Sequence, residues 1–115
     1  MSQPVESWLA EAEAYGMTVY YLGLLRKGPA WTAEETPQAA ALQEAHLANI
    51  RRMAEDGTLV LVGPLLDGGD LLGVYVFKSA SLAEAQALAA SDPAVQAGRL
   101  IFELHPWMVE KGVLP

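Results

Sequence analysis

Residues 58–77 read TLVLVGPLLDGGDLLGVYVF, and this stretch decides the fold. Two runs, Thr58 to Val62 and Leu71 to Phe77, are rich in the β-branched and aromatic residues of strands that are well buried in a sheet. Between them Asp67-Gly68-Gly69-Asp70 supplies the glycines that a chain reversal demands, so the runs pair as an antiparallel hairpin.

Outward from the hairpin, each side repeats one pattern. Upstream, Thr36-Pro37 reads as a helix start, with threonine as N-cap and proline in the first turn, where its missing N–H costs nothing. This helix is expected to end near Asp56-Gly57. At about 100° per residue Ala39, Leu42, Leu47, Ile50, Met53 and Ala54 fall on one side and Glu44, Arg51, Arg52 and Glu55 on the other. Before it, Met17 to Leu25 makes a first strand, closed by Gly28-Pro29. Downstream, Ser81-Leu-Ala-Glu84 is a capping box that opens a helix through about Ala90, which Pro93 stops. Arg99 to Leu104 then alternates as the last strand.

The order is βαββαβ, the split-βαβ or ferredoxin-like arrangement. It predicts an α+β fold: a four-stranded antiparallel sheet in the order 4-1-3-2 with both helices on one face. Residues 17–115 form this domain, and residues 1–16 form an arm or short helix in which Trp8, Leu9, Ala12 and Tyr15 have rough helical spacing. The second and third strands are apolar on both sides, so the face without helices is expected to be buried against a second copy in a homodimer.

Composition narrows the function. The chain has 115 residues, a formal net charge of −7 and no cysteine. That length fits one compact domain. The charge argues against nucleic acid, which needs clustered lysine and arginine. Arg51-Arg52 lies among Glu44, Glu55 and Asp56 and reads as a solvated mixed-charge face. No run approaches a membrane span, and the N-terminus lacks the basic start and apolar run of a signal peptide, so a cytoplasmic location is expected. With two histidines, no thiolate and no paired-ligand spacing, no metal site is expected. Gly68-Gly69 lies between two aspartates and lacks a lysine, so it does not read as a phosphate cradle.

His46 stands out because it sits inside the apolar arc of the first long helix. Asp92 stands at the end of the second, in Ser91-Asp92-Pro93. A histidine and an aspartate that meet in a cleft form a small acid/base unit near neutral pH. Taken alone, His46 reads more readily as a partly buried, satisfied side chain, and Asp92 as turn chemistry that holds nearby N–H groups. The topology brings the Arg26–Glu35 loop, Gly63-Pro64 and Asp92-Pro93 to one edge of the sheet, with His46 beneath. Gly63 and Pro64 terminate a strand first and line a cleft second. Trp31, Tyr20, Tyr21, Tyr75 and Trp107 read as core or interface before ligand stacking. His105 lies too near the chain end to rank as catalytic.

Ala45-His46-Leu47, Gly57-Thr58-Leu59 running into Val62-Gly63-Pro64, Ala89-Ala90-Ser91-Asp92-Pro93 with Gly98, and Pro106-Trp107 together resemble the YCII family over residues 17 to 108 or so. The resemblance implies a dimeric ferredoxin-like α+β fold and a site centred on a histidine and an aspartate, here His46 and Asp92. Some relatives are dehydrochlorinases of chlorinated hydroxyquinone-type aromatics. The chain departs from the pattern in its N-terminal segment and at His105, where arginine is expected. Two function classes stay open. One is a cofactor-independent lyase- or isomerase-type enzyme that performs proton transfer or elimination on a small cyclic or aromatic substrate, with His46 and Asp92 catalytic and Gly63 and Pro64 against the substrate. The other is a non-catalytic dimeric module for a small ligand.

Overall fold

The computed structural model describes residues 5–115, and the signal-peptide reading of the first residues falls partly on 1–4, outside the described residues. The elements are α1 (Val5–Ala14), β1 (Met17–Lys27), α2 (Pro37–Glu55), β2 (Leu59–Pro64), β3 (Leu71–Phe77), α3 (Leu82–Ala90), α4 (Pro93–Gln96) and β4 (Leu100–Glu110). The strands form one antiparallel sheet in the order β2-β3-β1-β4, as the βαββαβ pattern requires. Among the described residues no helix is long and apolar enough to cross a membrane.

Local signals set the helix ends. Thr36 Oγ1 accepts the Ala39 N–H at 3.1 Å, with Pro37 in the first turn of α2. Ser81 Oγ accepts the Glu84 N–H at 3.1 Å. The Glu84 carboxylate reaches one residue beyond the usual reciprocal partner and accepts the Ala80 N–H at 3.4 Å.

Register then decides the core. In an antiparallel pair, residues opposite each other point to the same face. Tyr21 lies opposite Phe77, Gly23 opposite Tyr75 and Leu104, and Leu25 opposite Phe102. Tyr21, Leu25, Tyr75, Phe77 and Leu100 of this face are buried in one cluster with Met53 of α2, Ala85 and Ala89 of α3, and Ala94 of α4. Trp8 of α1 packs against the same cluster, and Ala12 is fully buried. On the opposite face Tyr20 and Val76 are buried, whereas Leu61, Ile101 and Trp107 stand 55%, 46% and 44% exposed.

Two features differ from the sequence reading. Asp92-Pro93 opens a further short helix, α4, which packs on α2. The last strand runs to Glu110 instead of stopping near Leu104, so Pro106 lies inside it opposite Tyr21. A proline breaks a central strand but is tolerated at an edge, and β4 is an edge of the sheet.

The loop after β1 is pinned at its base. Gly28 N–H donates to the Arg99 carbonyl at 2.8 Å, and Ala30 N–H to the Gly98 carbonyl at 2.9 Å. A Cβ on Gly28 would lie 2.3 Å from the Gly98 carbonyl oxygen, a backbone atom that cannot swing away. Gly28→Ala is therefore expected to lower stability by about 1–3 kcal/mol in urea denaturation. Gly69→Ala, where a Cβ meets nothing within 4 Å, is expected to stay within about 0.5 kcal/mol of the parent.

Candidate active site

Three elements contribute one buried polar line. His46 projects from the middle of α2 and is 6% exposed, and Asp92 at the start of α4 is 1% exposed. Their contact is direct: His46 Nδ1 hydrogen-bonds Asp92 Oδ2. The reach of a histidine so far along α2 is explained by α4, which packs on α2 and carries Asp92 at its cap. The second carboxylate oxygen, Oδ1, accepts the Ala94 N–H at 2.8 Å, so Asp92 caps α4 with one oxygen and faces His46 with the other.

On the far side of the ring, the Tyr75 hydroxyl of β3 lies 3.1 Å from His46 Nε2. These contacts fix the proton positions of a neutral imidazole. A carboxylate only accepts, so Nδ1 carries the hydrogen, and Nε2 is left to accept from the tyrosine O–H. Burial, and secondly the Asp92 charge, push the Tyr75 phenol well above its ordinary ionisation range, so it stays a neutral donor. Its ring is held edge-on to Phe102 at 4.8 Å between centroids and against Phe77 at 5.9 Å.

His46 and Tyr75 form the polar floor of a cleft of about 160 Å³ walled by Leu25, Ile50, Val62 and Leu72. Gly63 and Pro64 lie in the same wall, so three of the four residues singled out in the sequence meet here, and Asp92 reaches the cleft through His46. The Arg26–Glu35 loop does not close over this cleft as the topology suggested. Residues 31–35 border a neighbouring cavity of about 530 Å³ that shares only Gln43 with it. The base of the loop is pinned to Gly98 and Arg99 just before β4, at the edge of the sheet away from β2 and its Gly63-Pro64.

His105 is on the other face of the sheet, opposite Leu22. It is exposed and 2.9 Å from Glu103, whose carboxyl is held low first by that hydrogen bond and also by Arg26. Asn49, one turn beyond His46, is 2% exposed; its Oδ1 accepts from Arg52 while its Nδ2 has no partner. Among the described residues no three histidine, cysteine, aspartate or glutamate side chains stand together as metal ligands would.

Tyr75, which contacts His46 and lines the same cleft, is the member of this candidate site that the sequence reading assigned to core or interface. A signal was present in Val74-Tyr75-Val76-Phe77: Tyr75 and Phe77 share one buried face, and a buried tyrosine, unlike a phenylalanine, needs a partner for its hydroxyl.

Comparison with known proteins agrees with this architecture. No curated protein matches the chain. A solved structure similar to it is 5-chloro-2-hydroxyhydroquinone dehydrochlorinase from Burkholderia phenoliruptrix AC1100, in complex with 2,5-dihydroxybenzoquinone. The two are 21% identical with a TM-score of 0.57, over 76% of this chain and 92% of that one, a likeness of fold. The family model of the YCII-related domain matches residues 19–108, nearly the whole of the sheet and its helices, and the chain belongs to that family.

Proposed function

We propose that this protein is an acid/base enzyme that moves a proton on, or eliminates a small leaving group from, a single-ring cyclic or aromatic substrate bearing ring oxygens. The observation that carries the reading is the buried His46–Asp92 pair, which presents its imidazole and the Tyr75 hydroxyl at the floor of an apolar cleft. A cavity of about 150 Å³ holds one benzene ring in an engineered protein, so a cleft near that size suits one ring. The dehydrochlorinase that shares the fold was solved with a ligand of that size and kind.

The chemistry follows from the proton inventory. When a substrate oxygen takes the Tyr75 hydroxyl as its donor, His46 Nε2 is free to accept a proton from the substrate. The imidazolium so formed carries a hydrogen on each nitrogen, and Asp92 stabilises it through Nδ1–H. The electron pair left on the ring flows to a ring oxygen, where the neutral Tyr75 O–H stabilises the developing charge. In an elimination this enolate collapses: the carbonyl re-forms, a ring C=C forms and the leaving group, a chloride for example, departs with its bonding pair from the adjacent saturated carbon of the keto tautomer, while His46 keeps the proton until it is released to water. Gly63 and Pro64 serve as the wall against which the ring lies.

One observation favours a second reading. Nε2 of His46 is already satisfied by Tyr75 at 3.1 Å, an arrangement that also suits a non-catalytic module in which the triad only shapes the pocket. The readings differ in whether Nε2 must exchange its partner during turnover.

We also propose a homodimer through the helix-free face, where Leu61 and Ile101 stand open to water beside half-buried Leu22, Leu24 and Val74. Light scattering at micromolar concentration is expected to give twice the chain mass, and Leu61→Glu is expected to shift it toward the monomer.

With ring-hydroxylated, ring-chlorinated benzenes as substrates and chloride release as the assay, His46→Gln is expected to abolish turnover. Asp92→Asn is expected to lower kcat by about 10²–10⁴-fold, because an amide facing Nδ1 donates a hydrogen and drives the ring to the wrong tautomer. Rates equal to wild type in both variants would remove the catalytic reading.

Tyr75 supplies a pH signature. The unfolded phenol ionises near 10, and the folded one is held above that. Below about pH 9 both states keep the proton and Tyr75 adds no slope to stability. Above it the unfolded state loses a proton that the folded state retains, so stability falls as pH rises. Tyr75→Phe is expected to flatten this fall in urea midpoints, leaving a remnant from Tyr21, which burial also shifts upward.

A further inference from the structure

The cavity beside the His46 cleft has its own chemistry. It measures about 530 Å³ and lies between loop residues 31–35 and the first turns of α2, with Arg99 at one side. Arg99 is half-buried, and its guanidinium Cζ lies 5.8 Å from the Trp31 ring centroid, while Lys27 Nζ lies 4.3 Å from the same centroid. Elsewhere the ion pairs of the described residues join Arg26 to Asp70 and Glu103, His46 to Asp92, and His105 to Glu103. Arg99 has no carboxylate of its own among the described residues, although the chain carries a net charge of −7.

Gln43 connects the two spaces. It lines both the Arg99 cavity and the His46 cleft, one helical turn before His46 on α2, and it is exposed. A molecule with its ring over His46 can therefore extend past Gln43 toward Arg99. The geometry points to a bipartite site in which Arg99, steadied by Trp31, binds a carboxylate carried by the ring substrate, so that the substrate class is a hydroxylated aromatic acid. This rests on the acid/base reading of the His46 cleft.

The physical case is the matching of groups. A guanidinium presents a planar fork that fits a carboxylate with two parallel hydrogen bonds, and a half-buried one loses less of that interaction to solvent than an exposed lysine would. Trp31 offers a flat apolar face beside it. Glu34 and Glu35 line the same cavity and oppose an anion, but both are exposed loop residues whose charge is screened by solvent. The backbone of Arg99 is held in place, because the Gly28 and Ala30 N–H groups pin the loop to the carbonyls of Arg99 and Gly98, and its guanidinium lies over the Trp31 ring of that loop.

Two probes isolate the carboxylate: 2-ethylhydroquinone and 3-(2,5-dihydroxyphenyl)propanoate share the ring, both hydroxyls and an arm that leaves the ring toward Gln43, and they differ by the carboxylate alone. Calorimetric titration of the intact protein is expected to show the acid binding about tenfold more tightly or better, the range of a charge-assisted hydrogen bond. Arg99→Gln is expected to erase this preference while ethylhydroquinone affinity stays within about twofold, the remaining contacts being unchanged. Arg99→Lys, with the charge but no fork, is expected to keep part of the preference. In the wild type, independently of any variant, the preference is expected to shrink as salt rises from about 0.05 to 0.5 M, and the Trp31 indole N–H resonance is expected to shift with the acid alone. Ethylhydroquinone binding without any preference for the acid overturns the Arg99 compartment and leaves the His46 reading standing. A preference that survives Arg99→Gln does the same. Binding of neither probe overturns both.

Discussion

A single buried carboxylate organises the helical layer of this protein. Asp92 is 1% exposed, and a carboxyl group at that depth is tolerated only when hydrogen bonds replace the water it has lost. It has two oxygens and uses both: one takes the Ala94 N–H and thereby starts α4, the other faces His46 and thereby fixes α4 against α2. The imidazole passes the constraint on, because its remaining nitrogen meets the hydroxyl of Tyr75 on β3. A polar line thus crosses from α4 through α2 to the sheet inside an otherwise apolar core. Removing any member leaves a buried partner unsatisfied, the costly side of the hydrogen-bond balance.

The fold was legible because its signals are local. The Asp67–Asp70 reversal, the Thr36 and Ser81 caps and the proline stop at Pro93 each act within a few residues, and together they fix the element order, from which the strand order follows by handedness. What escaped local reading depended on neighbours. The extension of β4 through Pro106 required that β4 be an edge strand, which only the assembled sheet decides. The α4 turn required that Asp92 be a cap as well as a candidate acid/base partner, and residue type alone leaves both roles open.

The site was half legible for a related reason. His46 and Asp92 stood out as polar residues in apolar surroundings, and Gly63-Pro64 as a strand end at the right edge of the sheet. Tyr75 did not, since an aromatic residue in a strand is the ordinary filling of a sheet core. The alternation of side chains tells which face a residue takes and not what its hydroxyl meets. Gln43 and Arg99 were hidden similarly: they are unexceptional polar residues until the loop after β1 is pinned back and the two cavities share a wall.

Whether such a triad performs chemistry depends on which of its contacts can be exchanged. The His46–Asp92 contact is charge-assisted and enclosed, and α4 is built on it, so it behaves as fixed structure. The Tyr75–His46 contact is a neutral hydrogen bond at 3.1 Å on the floor of an open cleft, of a kind worth about 0.5–1.5 kcal/mol net. In the proposed reaction a ring oxygen that offers Tyr75 an equivalent acceptor would replace that bond at little cost and would uncover Nε2 beside the ring. A strong bond toward the protein and a weak one toward the cleft give the imidazole a fixed orientation and a releasable nitrogen, which are the two requirements of a general base.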